Sequence, residues 1–442
     1  FDVHAFDVRV TPAEAYRFAR GEPVRLPPLD AMGQGTRTLK LSRPLDFAAV
    51  TDHSEFLGEV EACITPGTAT YDSPTCKTYR QGGLPGIAQL GLQLAWGDVG
   101  HDRTVCGDDG VLCRGLADSV WGRIQRAASD AYDRSSRCKF TSFVGYEYSA
   151  APNLSTMHRN VIFKNDRVPF PTTTLEQPTP AGLWRELTAT CTASGTGCDA
   201  LAIPHNSNES NGQMFRLEYD EGSTIAEQRA AAELRARLEP LVEIFQHKGD
   251  TECHNAVAGA LGAPDEYCDF EKSRKPFVDC GDGIGMGGTR GEGCLSQRDF
   301  IRYALLGGLR EEARLGVNPI RLGLIGSTDT HNGTPGAVAE ASFIGHRGTD
   351  DDTAEKQLGP GGLTPGGVEF TPGGLVGVWA EENSRPSLFE ALRRRETLAT
   401  SGPRIAVRFF GGFASWDSPT NLCDDPELLR KAYESGVPMG RD

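Results

Sequence analysis

The stretch RLGLIGSTDTHNG, residues 321–333, ends an apolar run with a carboxylate and an imidazole two positions apart. If the run is a strand, Asp329 and His331 share a face, because alternate residues of a strand point the same way. One such pair is weak support for a functional site. The stretch becomes informative only if other predicted strands end in the same manner.

Four other apolar runs do end with residues of this chemistry. They are LDFAAVTDH (45–53), FTSFVGYEYS (140–149), ALAIPHN (200–206) and LVEIFQH (241–247). Predicted helices over 116–133, 224–239 and 297–315 alternate with these strands, which is typical of βα units and a mainly parallel sheet. Functional side chains in such folds gather at the carboxyl ends of the strands. The side chains expected to converge on one mouth are His53, Glu147, His205, His247, Asp329 and His331.

These side chains predict a metal centre. Imidazole nitrogens and carboxylate oxygens without thiolate are the ligands of a hard or borderline divalent ion, and a set of this size can hold more than one ion. A single histidine at a strand end is more often a capping or core residue, but five concordant strand ends favour the metal. Asp52 suits either direct binding or orientation of His53, and we predict the orienting role.

Composition and length limit the class of protein. The 45 basic and 60 acidic residues give a net charge of −15, which argues against a nucleic-acid interface and against binding to anionic membranes. No apolar stretch approaches the roughly 20 residues of a membrane span. Length alone favours two or three domains, but a barrel with insertions can run past ~400 residues. Because no convincing linker divides the chain, we predict a single domain over residues 1–442.

Ten of the twelve cysteines fall into short-range pairs, and Cys138 and Cys423 are left over. The pairs are Cys63/Cys76, Cys106/Cys113, Cys191/Cys198, Cys253/Cys268 and Cys280/Cys294. Scattered reduced thiols are the alternative, and sequence alone does not determine connectivity. We favour disulfides that staple insertions at about 60–115 and 248–297, in a bacterial periplasm or outside the cell.

The order of the motifs resembles a known superfamily. AVTDHSEF, GYEYS, IPHN, VEIFQH and GSTDTHNG follow one another as do the motifs of the PHP (polymerase and histidinol phosphatase) superfamily. Within it, the chain is similar to the bacterial family called domain of unknown function 3604. That likeness covers nearly the whole chain and rests on TPAEAYRFARGE (11–22), PLDFAAVTDHSEFLGE (44–59), HRNVIF (158–163) and VWAEENSRPSLFEALRRRETLATSGPRI (378–405).

The resemblance implies a fold, a cofactor and a ligand set. It implies a distorted (β/α)₇ barrel that holds two or three manganese, zinc or iron ions through the six residues named above. The first motif of the superfamily, a His-x-His at the end of strand 1, has no counterpart here. Asp2 resembles the aspartate that follows this motif, so strand 1 is expected to be incomplete, with Asp2 as an outer partner of the centre.

The predicted activity is hydrolysis. Metal ions lower the pKa of a bridging water towards 7, present hydroxide at neutral pH and polarise the oxygen under attack. A small anionic ester is the expected substrate, and the resemblance favours a phosphate ester. His158 is the candidate general acid and Arg159 a candidate catalytic cation. Asn206, Lys248 and Arg404 are candidates for substrate binding, although any single cation can equally be a solvated surface charge.

Two alternatives stay open. The same centre could hydrolyse a carboxylic ester, a carbamate or a sulfate ester, and an apolar pocket around Trp379, Phe215 or Phe245 would favour a neutral ester. The chain could also be a secreted metal-binding protein without catalytic activity.

Overall fold

A computed structural model describes residues 6–95, 100–257, 264–273, 278–360, 365–412 and 424–441. The strands are β1 (Val24–Leu29), β2 (Gly35–Leu39), β3 (Phe47–Ala49), β4 (Thr141–Tyr148), β5 (Arg159–Phe163), β6 (Ala200–Pro204), β7 (Leu241–Gln246), β8 (Gly249–Asp250), β9 (Val278–Asp279), β10 (Cys294–Leu295), β11 (Gly323–Gly326), β12 (Leu375–Val378), β13 (Thr397–Thr400), β14 (Phe410–Gly411) and β15 (Val437–Pro438). The α-helices are α1 (Pro12–Ala19), α2 (Leu57–Ile64), α3 (Pro74–Tyr79), α4 (Gly83–Gly91), α5 (Arg103–Cys106), α6 (Val111–Ala131), α7 (Pro180–Leu187), α8 (Ile225–Leu238), α9 (Ile301–Leu315), α10 (Ala354–Leu358), α11 (Arg385–Arg393) and α12 (Leu428–Ser435).

The largest sheet has the strand order β3-β4-β5-β6. β3 runs parallel to β4, whereas β5 is antiparallel to both of its neighbours. The prediction of a mainly parallel sheet is therefore wrong for β5. The reason is the short connection over residues 149–158, because a parallel neighbour needs a crossover of about a dozen residues or more.

A second sheet has the order β11-β7-β8, with β11 parallel to β7. The antiparallel pair β12–β13 lies beside it, and the Thr397 hydroxyl of β13 donates to the Leu324 carbonyl of β11 at 2.9 Å. The remaining ladders are the pairs β1–β2, β9–β10 and β14–β15. The ladders of the described residues form small sheets, none of them closed, so the (β/α)₇ barrel stays a prediction.

Apolar clusters cover both faces of the four-stranded sheet. On one face, Trp121 and Ile124 of α6 pack in a cluster with Tyr146 and Phe163. The cluster of the other face includes Phe143, Ile162 and Ile325, and there α11 contributes Leu388, Phe389 and Leu392. Every residue of β4, β6 and β7 is buried, as expected of strands that are covered on both sides. The ends of these strands are therefore held rigidly.

The predicted helices are confirmed as α6, α8 and α9. In the segment 404–412 only Phe410–Gly411 is a strand, and β12 pairs with Thr397–Thr400. Gly402, at φ 125°, and Pro403 end that ladder. The side chains of Ile405 and Val407 are 61% and 48% exposed, so this part of the segment covers no core.

The short-range cysteine pairs are confirmed as five disulfides. They are Cys63–Cys76, Cys106–Cys113, Cys191–Cys198, Cys253–Cys268 and Cys280–Cys294. Cys138 is a free thiol, and Cys423 lies outside the described residues. The disulfides indicate an oxidising environment. In the part of the chain that the structure describes, no helix is long and apolar enough to cross a membrane.

His101 joins the first insertion to the rest of the protein through two carboxylates. Its Nδ1 lies 2.6 Å from the fully buried Glu59 carboxylate and its Nε2 lies 3.4 Å from Glu176. Hydrogen bonds to Glu176 and Glu59 raise the pKa of His101 to about 10, from 6.5. This contribution to stability is complete below pH 6.5 and is lost as the pH rises through about 10.

We predict that His101→Gln flattens the alkaline side of the stability profile. Between pH 6.5 and pH 10 the wild-type midpoint of thermal unfolding should fall more steeply than that of the variant, because only the wild type releases this proton on unfolding. Thermal unfolding followed by circular dichroism at a series of pH values measures both slopes. Equal slopes would contradict the assignment.

Candidate metal centre

The centre is built around the Glu147 carboxylate, at the carboxyl end of β4. Its Oε1 lies 2.7 Å from Nδ1 of His158 and 3.1 Å from Nε2 of His205, which follows β6. Its Oε2 lies 3.3 Å from Nδ1 of His53, and a backbone bridge pairs His53 with Glu147. One carboxylate is thus surrounded by three imidazoles. Glu147, His158 and His205 each offer a ligand atom within 4.8 Å of the other two, a separation that suits binding of one ion.

The antiparallel direction of β5 explains why His158 belongs to this cluster. The start of β5 lies at the same edge of the sheet as the ends of β4 and β6, so the residue just before β5 meets the residues at those ends. His158 therefore lies where it could ligate a metal ion, and its role as general acid stays a prediction.

Arg159, the next residue, faces the other side of the sheet, as alternation requires. Its side chain is 1% exposed, its Nε lies 2.8 Å from the Glu239 carboxylate, and it also donates to the Met157 carbonyl. Trp184 and Arg235 donate to the same carboxylate. Arg159 is thus held in a buried ion pair away from the cluster, and we assign it a structural role in place of the predicted catalytic one.

The remaining predicted ligands extend the cluster on the other side of His205. Oδ1 of Asp329 lies 4.0 Å from Nε2 of His205, and Oδ2 lies 3.5 Å from Nε2 of His247. The ring centroid of His331 lies 5.8 Å from that of His247 and 5.7 Å from that of His53. The six predicted ligands and His158 therefore form one continuous group.

Asp329 and His331 reach this group from a loop and not from a strand. β11 ends at Gly326, so the alternation of side chains along a strand does not set the directions of these two side chains. Asp329 instead adopts φ 49°, a left-handed conformation that an aspartate tolerates better than most residues. Backbone conformations of this kind are often found at functional sites.

Two of the predicted substrate-binding residues contact Asp329 directly. Its Oδ2 accepts hydrogen bonds from Asn206 Nδ2 at 3.2 Å and Gln246 Nε2 at 3.0 Å, and it also contacts the Lys248 ammonium. Burial alone would raise the pKa of Asp329, but Lys248 and the neighbouring histidines together outweigh it and hold that pKa well below the usual range. The structure thus places Asn206 and Lys248 in contact with a candidate metal ligand.

The remaining predicted residues are Arg404, Asp52 and Asp2. The guanidinium of Arg404 lines the adjoining cavity but donates to the carbonyls of Arg43 at 2.8 Å and Pro44 at 2.9 Å. Asp52 is exposed, and its carbonyl accepts a hydrogen bond from the Glu147 amide at 2.9 Å. Asp2 lies outside the described residues.

Sequence reasoning missed three neighbours of the cluster. Ser149 Oγ lies 2.5 Å from Nδ1 of His53 and orients that ring, as Asp52 was predicted to do. Glu243, in the buried strand β7, accepts a hydrogen bond from the Ser327 hydroxyl, and a carboxylate within so apolar a run was a signal that could have been used. His346 stacks on His247 from a loop that carries no such signal.

The protonation states suit binding of a cation. Burial alone would raise the pKa of Glu147, but the three imidazoles around it outweigh burial and hold that pKa well below its usual range. Burial lowers the pKa of His158 to about 4 and that of His247 well below its usual range. Burial also acts on His205, but the carboxylates of Glu147, Asp329 and Glu243 together outweigh it and raise the pKa of His205 to about 9. The Glu147 carboxylate is therefore ionised and His158 and His247 are neutral, which are the states that ligate a metal, whereas a metal ion bound by His205 would displace its second ring proton.

Unpartnered buried nitrogens show that this group fits a metal ion. Among the described residues, Nδ1 of His205 and both ring nitrogens of His247 lack a hydrogen-bond partner, although both side chains are fully buried. Buried polar atoms are nearly always partnered, and ligation of a metal ion would supply a partner for one nitrogen of each ring. A second group with suitable spacing, Glu59 with Cys106 and Cys113, does not fit, because its two sulfurs form a disulfide.

A cavity of about 840 Å³ adjoins the cluster. Its polar lining includes His53, Glu147, Asp329 and His331, and its apolar lining includes Phe143, Ile162, Ile325 and Trp379. Phe215 and Phe245, named as alternative pocket residues, instead pack in the core cluster of α6 and the four-stranded sheet. Four of the candidate ligands therefore face a space that is large enough for a small ester and mostly apolar.

A family model with the description "Protein of unknown function (DUF3604)" matches residues 1–442, the whole of the chain. No curated protein and no solved structure matches the chain. The match establishes the family of the chain but gives no activity for that family.

Proposed function

Because this chain belongs to the DUF3604 family, a family of unknown function, we propose its activity from the cluster itself: it is a metal-dependent hydrolase, and its substrate is a small phosphate ester. The observation that carries the proposal is the Glu147 carboxylate, held among three imidazoles and linked through His205 to Asp329. Carboxylate oxygens and imidazole nitrogens without thiolate suit manganese, zinc or iron.

We further propose that the chain is a single domain of the PHP superfamily and that its strands form the distorted barrel of that superfamily. The order of the motifs supports this, as does the meeting of Glu147 in β4 with His205 after β6 and His247 after β7 in one group. The five disulfides support a periplasmic or secreted location.

Each part of the cluster has a distinct task in this proposal. Glu147 and His158 would hold one ion together with His53 and His205, and Asp329 would hold another with His247 and His331. When bound, two or three such ions lower the pKa of a water to near neutrality and polarise the oxygen under attack. Lys248, next to Asp329, supplies a positive charge where charge develops on a phosphoryl group.

One observation favours a second candidate, hydrolysis of a neutral carboxylic ester by the same centre. The cavity is lined largely by apolar side chains such as Phe143, Ile162 and Trp379. Of the three predicted cations, Arg159 and Arg404 are engaged by Glu239 and by backbone carbonyls. Lys248 is then the cation that distinguishes the two substrate classes.

The test is a panel of nitrophenyl phosphate mono- and diesters, acetate and sulfate, assayed with manganese, zinc or ferrous iron. We expect the protein to hydrolyse the phosphate esters. This activity should disappear when a chelator is added and return when metal is restored. Hydrolysis of acetate alone would favour the second candidate. No turnover of any ester by metal-loaded protein would leave a non-catalytic metal-binding protein.

Replacing Lys248 by Met should separate the substrate classes. We expect kcat/KM for a phosphate ester to fall about 10²- to 10³-fold, as on loss of one group that stabilises developing charge, and kcat/KM for a neutral ester to change little. Bound metal is measured in parallel, because Lys248 contacts Asp329. An equal loss for both ester classes with full metal content would contradict a role in binding phosphate.

A further inference from the structure

His346 has no part in the ligand set above, yet it lies against it. Its side chain is buried, and its ring centroid lies 4.5 Å from that of His247, with 43° between the ring planes. The His346 carbonyl accepts a hydrogen bond from the backbone N–H of His331 at 2.9 Å. The residue therefore touches two candidate ligands, one through its ring and the other through its backbone.

The tautomer of His346 follows from its hydrogen bond. Nε2 lies 2.8 Å from the Thr371 carbonyl oxygen. A carbonyl can only accept, so Nε2 carries the ring proton and Nδ1 carries the lone pair. Metal-binding histidines are oriented in this way, with one nitrogen donating to a backbone carbonyl and the other free to ligate.

That lone pair has no hydrogen-bond partner in the part of the chain that the structure describes. The same is true of both ring nitrogens of His247, so two buried imidazoles in contact with each other present unpartnered nitrogens. Burial without a partner costs free energy at each of them. A cation between these rings and Asp329 would remove that cost.

The loop holds the His346 ring in place. The two oxygens of the Asp351 carboxylate accept the backbone N–H of His346 at 2.6 Å and that of Arg347 at 2.9 Å. Gly345 adopts φ 89°, and a Cβ at this position would collide with the Asp351 carboxylate. The orientation of the ring is therefore set by the fold.

We propose that His346 is an additional metal ligand, which binds through Nδ1 on the His247 side of the centre. This inference rests on the proposed function, because it requires a metal at the cluster.

The test compares metal binding by His346→Gln and by the wild type. Glutamine can still donate to the Thr371 carbonyl but has no ring nitrogen to ligate. We expect the variant to lose one cobalt or zinc ion, or to bind it at least about tenfold more weakly, in titrations and by elemental mass spectrometry. His101→Gln, the same change at a half-buried histidine paired with Glu59 and not with the cluster, is the matched control and should bind metal as the wild type does.

A second variant, His346→Cys, gives a positive signal. Its sulfur would stand close to the position of Nδ1, so cobalt loading should produce a thiolate-to-cobalt charge-transfer band that the wild type lacks. Wild-type stoichiometry and affinity in His346→Gln, with no such band in His346→Cys, would overturn the role of His346 and leave the metal centre standing. Failure of the wild type to bind metal would overturn the proposed function itself.

Discussion

Glu147→Gln should lose its bound metal and, with it, hydrolysis. The change removes one negative charge from the middle of three imidazoles and leaves the shape of the side chain nearly unaltered. Loss of an outer partner of a metal site already costs about 10- to 100-fold in affinity, so loss of a carboxylate at its centre should cost at least about 100-fold. Elemental mass spectrometry and metal titration measure this directly.

Glu233→Gln is the matched control for that substitution. Glu233 lies on α8 and forms an ion pair in which both side chains are more than half exposed, at 3.8 Å from Arg229. The control should keep full metal content. Circular dichroism in the presence of chelator checks that both proteins fold. Glu147→Gln with wild-type metal content and affinity would show that the carboxylate is not a ligand.

Glu239→Ala should destabilise the fold by about 3–5 kcal/mol, the cost of removing one partner from a buried ion pair. The carboxylate is 1% exposed and accepts hydrogen bonds from Arg159, Arg235 and Trp184. Its removal leaves two buried guanidinium groups without their counter-ion. Denaturant unfolding with the disulfides intact measures the change in the free energy of unfolding.

The exposed ion pair between Arg229 and Glu233 on α8 again supplies the control. Glu233→Ala removes a surface ion pair and should change the free energy of unfolding by about 0–1 kcal/mol. If Glu239→Ala were as mild, the buried ion pair would not be a major support of the sheet, and the structural role given to Arg159 would be wrong.

The sequence located most of the cluster because strand ends are readable from pattern. Glu147, His205 and His247 end or follow β4, β6 and β7, whose uniform burial appears in the sequence as apolar runs. Asp329 and His331 were placed in the right cluster for a partly wrong reason, since a left-handed turn beyond β11 positions them.

Strand direction was the main property that the pattern could not supply. A period of two is the same in either direction, so the pattern could not show that β5 is antiparallel or that His158 lies beside Glu147. The short connection over 149–158 was the available signal. The sequence also could not show that Arg159 pairs with Glu239, because the two residues lie 80 positions apart. His346 lies in a loop without periodicity, so its contact with His247 could be recognised only in the structure.

The metal content of protein purified without chelator, measured by elemental mass spectrometry, decides whether the cluster is a metal centre. We expect about two to three equivalents of manganese, zinc or iron per chain. Less than about a tenth of an equivalent, not restored by added metal, would show that the cluster is not a metal centre and would leave the buried nitrogens of His205 and His247 without a ligand.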